Sequence, residues 1–318
     1  MNLKKGIVIR STGSWYEVKT EDDGVVACRI KGKFKIAGLL TTNPIAVGDL
    51  VEFEQEAGLD TGMIKIIAPR KNYVVRQSPR KKHEVHLLAA NVDQAIVIMT
   101  IVEPKLKQGF IDRFLLMTEP YNIPTTIVFN KSDLYDDDAM VMYLFMKEIY
   151  EQIGYSIMLV SAETGDKLDD LRAVLKDKTS LISGQSGVGK SSIVNALLPD
   201  LDLSTMELSD YSGKGQHTTT FAEMFTLPNG GNIIDTPGIK TLSFNFFEPM
   251  DVAHNFREFF AVSDQCKFGG SCMHKQEPGC AVKALVESEE LSDLRYYNYL
   301  QLLEEVEEQN YWERKKRF

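Results

Sequence analysis

The chain has 318 residues, 43% of them apolar, and a formal net charge of −9, values that suit a globular protein of two or three domains with a substantial core. No apolar run approaches the eighteen or so residues of a membrane-spanning helix, and behind the basic start only Ile7-Val8-Ile9 precedes Arg10, too short for the apolar stretch of a secretory leader. A cytoplasmic protein without a membrane partner is expected, and the acidic balance sets aside nucleic-acid binding over the whole surface.

Residues 1 to about 70 read as strands: Gly6 to Arg10, Trp15 to Lys19, Val25 to Ile30, Leu50 to Glu54 and Met63 to Ile67 are short apolar or alternating runs between Gly, Asp, Asn and Pro turns. Five short strands in this length suit a small barrel of the OB type, so a first domain over residues 1–72 is expected. Basic residues gather here despite the net charge. Arg29, Lys31, Lys33 and Lys35 surround Phe34, and Arg70, Lys71, Arg76, Arg80, Lys81 and Lys82 form a second group. A positive groove with an aromatic stacking face fits RNA.

Gln94 to Met99 is a continuous apolar run, the pattern of a strand buried on both faces. Helical spacing over Phe110 to Met117, a strand at Thr125 to Phe129, a helix over Met140 to Tyr150, a strand at Ser156 to Val160 and a helix over Leu168 to Leu175 follow in turn. Leu181-Ile182 leads into a Gly-rich loop, Ile193 to Leu198 is helical, and Ile233-Ile234 is a further short strand. The alternation implies a doubly wound α/β sheet over residues 73–243. Beyond it, residues 244–318 are expected to be mainly helical around a Cys/His segment, with a last helix from Leu291 to about Glu308 and a basic tail at Arg314 to Arg317.

Gly184-Gln185-Ser186-Gly187-Val188-Gly189-Lys190-Ser191 matches the phosphate-loop pattern, set between a strand and a helix as that motif requires. Its glycines let backbone N–H groups turn inward on phosphate oxygens, and the helix that starts near Lys190 and runs through Ser192 adds its positive end. Lys190 would reach the β- and γ-phosphates, and the Ser191 hydroxyl would ligate Mg²⁺. Asn130-Lys131-Ser132-Asp133 directly follows a strand and forms the guanine-reading pattern. The Asp133 carboxylate can accept from guanine N1–H and the exocyclic amine, which adenine cannot match. Lys131 would lie along the base, and Asn130 would tie this segment to the phosphate loop. Ser161-Ala162 ends the next strand, where a backbone N–H can meet guanine O6.

Asp235-Thr236-Pro237-Gly238 supplies a carboxylate near Mg²⁺ and an amide facing the γ-phosphate. The residue after it is Ile239, not the glutamine that positions water in many GTPases. The segment Gly213 to Thr220 offers the substitute: Thr219 as the Mg²⁺ ligand of the GTP state and His217 to position the attacking water. The base-reading motifs precede the phosphate loop, the reverse of the usual order. Such a circular permutation leaves the same sheet if the old termini are joined.

Cys266, Cys272, His274 and Cys280 fall within fifteen residues, with Gly269-Gly270 and Pro278-Gly279 as turns. Three thiols and an imidazole suit one tetrahedral, structural Zn²⁺ with no open position. Cys28 stands apart and is expected to be a core or edge thiol.

NKSD, GQSGVGKSS, GKGQHTTT, DTPG and a Cys/His cluster ending EPGC, in that order, resemble the ribosome small-subunit-dependent GTPases, the RsgA (YjeQ/YloQ) family, over nearly the whole chain. The resemblance implies an OB-fold, a permuted GTPase domain and a zinc-binding domain. It also implies slow hydrolysis stimulated by the 30S subunit, late maturation of that subunit with contact to 16S rRNA, and a catalytic role for His217. GTP and GDP, Mg²⁺ and one Zn²⁺ per chain are the ligands expected, with the chain a monomer. The competing reading is a GTP-gated binding module with negligible turnover that recruits a protein or RNA partner.

Overall fold

The computed structural model describes residues 3–30, 43–56, 58–77, 85–198, 222–235, 244 and 247–315. Its first five strands are β1 (Lys4–Ser11), β2 (Tyr16–Thr20), β3 (Val25–Ile30), β4 (Leu50–Gln55) and β5 (Thr61–Ile67). They pair in the order β1-β2-β3-β5-β4 and close through β1 against β4, the OB-type barrel expected. Inward residues alternate along each strand, so Val8, Tyr16, Val18, Cys28, Val51, Phe53 and Ile64 fill one core. Cys28 is fully buried there, and burial pushes its thiol up to about 12.

Two strands follow that the sequence pattern did not suggest, β6 (Tyr73–Gln77) and β7 (Val85–Ala90), which form an antiparallel hairpin that touches the barrel through a single bridge from Ala89 to Val47. The main α/β region then holds β8 (Gln94–Met99), α1 (Gly109–Thr118), β9 (Thr125–Phe129), α2 (Asp137–Gln152), β10 (Ser156–Leu159), α3 (Leu168–Leu175), β11 (Thr179–Gly184), α4 (Lys190–Leu197), β12 (Glu223–Thr226) and β13 (Asn232–Asp235). The strands lie in the order β10-β9-β8-β11-β13-β12. All neighbours are parallel except the β12–β13 pair. Alternation along β8 divides the two faces. Val97 and Met99 pack with α1 and α2, whereas Ile96 and Ile98 pack with α3 and α4. The helix α2 begins earlier than its apolar spacing suggests because the Asp136 side chain caps it, accepting from Ala139 N at 2.9 Å.

Barrel and α/β sheet are one eleven-stranded surface. β1 leaves β4 partway along and pairs with β12, Arg10 opposite Glu223. Beyond the sheet lie α5 (Pro249–Asn255), α6 (Arg257–Phe260), α7 (Ala281–Glu287) and α8 (Asp293–Lys315). Their apolar faces join the α1/α2 side of the sheet in one core, with Phe256, Phe259, Tyr299, Leu303 and Val306 buried. A buried polar group crosses that core. Arg295 of α8 forms ion pairs with Asp112 of α1 and Glu258 of α6, while Tyr150 of α2 and Asn298 of α8 donate to the same Asp112 carboxylate. Burial alone would lower the Arg295 pKa, but Asp112 and Glu258 outweigh it and hold the guanidinium charged. Among the described residues no helix is long and apolar enough to cross a membrane.

Candidate active site and metal centre

Because β8, β9, β10, β11 and β13 run parallel, their carboxyl ends meet at one edge of the sheet, where open α/β sheets take ligands. Four of the sequence motifs leave from that edge: Asn130 after β9, Ser161 after β10, Gly184 at the end of β11 and Asp235 at the end of β13. Asn130 sits at their junction, 1% exposed. Its Nδ2 donates to Val188 O at 2.9 Å, and its Oδ1 accepts from Ala162 N at 3.0 Å. One side chain thus holds the phosphate loop, the base-reading loop and the Ser161-Ala162 turn in fixed relation. The contact also explains Gly189, whose φ is +86° and where a Cβ would stand 2.3 Å from Asn130 Nδ2. A Cβ at Gly184 would meet Ile98 O at 2.5 Å.

Within the base-reading loop, Lys131 takes a left-handed backbone with φ +67° and its Nζ donates to Glu103 O at 2.6 Å, which draws the loop after β8 toward the site. Ser132 N donates to Val160 O at 3.1 Å. The buried Ser161 hydroxyl donates to Asp133 Oδ1, orienting a carboxylate that is otherwise exposed and open to a base. In the phosphate loop Val188 is buried, Gln185 half-buried, and Ser186 and Gly187 exposed. Gly189 caps α4, so the first-turn N–H groups of that helix, from Lys190 through Ser192, face the loop. Lys190 Nζ lies 2.8 Å from Asp235 Oδ1, with both side chains nearly buried. The approach pairs the charges but misses the hydrogen-bond direction, so Oδ1 lacks a hydrogen-bond donor among the described residues. The Ser191 hydroxyl, at the start of α4, is buried as well, and a hydroxyl and a carboxylate are hard oxygen groups of the kind Mg²⁺ takes. His217, Thr219 and Gly238 lie outside the described residues, as do Lys31, Lys33, Phe34 and Lys35 of the basic stretch. Arg29, its described member, pairs with Glu56 at 2.7 Å and lies over the Trp15 ring.

The second site is formed by loops between α6 and α7. Cys266, Cys272, His274 and Cys280 are all buried, and their donor atoms lie within 4.8 Å of one another. Cys266 Sγ stands 3.7 Å from His274 Nδ1 and 4.0 Å from Cys280 Sγ, and His274 Nδ1 stands 3.4 Å from Cys280 Sγ. Bond lengths of about 2.3 Å to sulfur and 2.0 Å to nitrogen place tetrahedral ligands roughly 3.5–3.8 Å apart, so the donors fit a single metal ion. Burial pushes the Cys272 thiol up to about 12, raises that of Cys280 and holds the His274 imidazole below its ordinary range. Ala281 N donates to Cys266 Sγ at 3.3 Å. The strand of ligands is tied to α8, since Tyr296 and Tyr299 donate to His274 O and Met273 O.

A phosphate loop, an exposed carboxylate in the base-reading loop and a buried acid at one sheet edge, reached in the order base loop, phosphate loop, Asp235, define a circularly permuted P-loop GTPase. Residues 5–64 match the RsgA N-terminal domain and residues 67–245 the RsgA GTPase. The small ribosomal subunit biogenesis GTPase RsgA of Bacteroides fragilis is 47% identical over 309 residues, 96% of this chain and 98% of that protein. The protein so named in Flavobacterium psychrophilum is 47% identical over 94% of this chain and 92% of its own. Among solved structures, YjeQ from Thermotoga maritima superposes with a TM-score of 0.75 at 34% identity, covering 96% of this chain and 99% of that one. YloQ, described as a circularly permuted GTPase, gives 0.72 at 32% identity over 96% of each. The chain belongs to the RsgA GTPase family.

Proposed function

We propose that this GTPase acts on the assembling small ribosomal subunit, binding the 30S particle and its 16S rRNA late in maturation and hydrolysing GTP to GDP and phosphate when the particle stimulates it. The names of the relatives support the subunit as partner, and the bridge made by Asn130 between base loop and phosphate loop carries the nucleotide reading. In this reading Asp133 accepts from guanine, Lys131 lies along the base and the Ala162 turn meets O6. The amides of Gly184 to Ser192 cradle the phosphates. Lys190 exchanges Asp235 for the β- and γ-phosphates. Ser191 and Thr219 would hold Mg²⁺ with Asp235 nearby, Gly238 would face the γ-phosphate, and His217 would position the water, since the Ile239 side chain cannot hydrogen-bond. Bound Mg²⁺ would neutralise charge developing on the phosphate oxygens.

The donor chemistry of Cys266, Cys272, His274 and Cys280 favours zinc, held as a structural ion. The barrel spans residues 1–72, the GTPase unit 73–243 and the zinc-bearing helical unit 244–318, in a monomeric cytoplasmic protein. The test is GTP turnover with and without purified 30S subunits. Stimulation that His217→Ala abolishes is expected, and an unstimulated rate would overturn the subunit's role. A second arm reads the base: Asp133→Asn should erase the preference for GTP over xanthosine triphosphate, and retained preference would overturn the guanine assignment.

A further inference from the structure

One helix of the GTPase unit is apolar on the side that faces water. α2 buries Tyr143, Met146, Ile149 and Tyr150 against the sheet, yet Val141, Met142, Leu144 and Phe145 on its outer side are 67%, 43%, 54% and 46% exposed. Val141 lies three and four positions before Leu144 and Phe145, and Met142 three before Phe145, so the four form one stripe. A helix apolar all round in its middle turns is ordinarily covered on both sides, and contiguous exposed apolar surface marks an interaction site.

The charge around the stripe selects its occupant. Asp136, Asp137 and Asp138 stand exposed at one end, Glu148 and Glu151 at the other. The helix has one cation, Lys147, which lies 3.8 Å from Glu151. An acidic rim repels a phosphate backbone. A second copy docking by the same face would bring acidic ends against acidic ends in either orientation. A protein segment with an apolar face flanked by Lys or Arg meets both the stripe and its rim.

We propose that the outer face of α2 docks a basic, amphipathic segment of a protein of the small ribosomal subunit. The proposal rests on the subunit reading above and adds that one contact of this GTPase is to protein and not to RNA. The test places a photoreactive benzophenone amino acid at Leu144 in the full chain, bound to 30S subunits with a non-hydrolysable GTP analogue. A cross-link to a subunit protein, mapped to an apolar stretch bordered by Lys or Arg, is expected. Val141→Glu with Phe145→Glu should weaken co-sedimentation with the subunit about tenfold, with thermal midpoint and basal GTP turnover unchanged. Cross-linking to RNA, to a second copy or to nothing while the protein still co-sediments overturns the proposal, as does a double variant that binds like the wild type. If the wild type itself fails to co-sediment, the subunit reading falls first and this one with it.

Discussion

Asn130 does for the pocket what a single rigid pin does for three plates. Its amide nitrogen and oxygen each hold a different loop, whereas Asp133, among the described residues, is bonded through its side chain by Ser161 and keeps its remaining acceptor capacity for a base. The two residues therefore fail differently. Asn130→Ala removes the relation between phosphate and base subsites without touching a group that meets nucleotide in the proposed pose. A misplacement of an ångström costs on the order of 10²-fold in well-oriented sites, so GTP and GDP affinity should fall by about that factor with guanine preference retained, as read by calorimetric titration. Loss of preference with affinity intact would contradict this. Gly189→Ala should be worse, because the added methyl meets Asn130 Nδ2 at 2.3 Å and the backbone is left-handed. Its binding should vanish while circular dichroism stays native.

The Cys/His loops have no regular structure long enough to hold themselves, and their ligands hang from α8 through two tyrosine hydroxyls. A metal there competes with protons. In the metal-free cluster Cys272 is held up at about 12 and Cys280 is raised as well, both by burial, so at neutral pH these two thiols carry protons that an ion must displace. Zinc loading of stripped protein should release at least two protons per ion, measured with a pH indicator, and affinity should rise with pH. Uptake without proton release would show that thiolates are already present. The sign for folding without metal follows from the same shift. A thiol raised above its unfolded value near 9 adds stability that is complete below that value and lost as pH climbs toward about 12. The Cys/His cluster was legible in the sequence because its residues lie close together along the chain. So were β8 and β9, whose six and five residues are apolar enough to be buried outright, and the phosphate loop, whose spacing is fixed by the anion. The hairpin β6–β7 was not, since it stands outside the main sheet and its short runs are interrupted by the polar residues Arg76, Gln77 and His86. Nor was β12, four residues defined by its neighbours β13 and β1.

Chain continuity suggests a simple lever: the Asp235 segment, which would sense the γ-phosphate, runs on into the helical unit. Packing argues against a swing of that unit. Asp112 and Arg295 stand 183 positions apart in sequence and pair in the core, with Glu258, Tyr150 and Asn298 completing the group. Nothing in the local pattern announces this beyond Asp112, the one acid inside Gly109–Thr118, and Arg295 in the first turn of α8, each at a position its helix turns inward. Breaking a buried pair by removing one partner costs about 3–5 kcal/mol, comparable to the roughly 5.5 kcal/mol that would drive a two-state switch from end to end. A nucleotide signal that had to detach α8 from α1 would spend nearly all its differential on that step. The expected course is that α8 keeps its seat in both nucleotide states. Hydrogen exchange in α8 should then be the same with GDP and with a GTP analogue. Arg295→Ala should lower unfolding stability by about 3–5 kcal/mol and raise exchange in α8 with either nucleotide bound. Faster α8 exchange on GTP binding in the wild type would instead make the buried group a latch that the nucleotide opens.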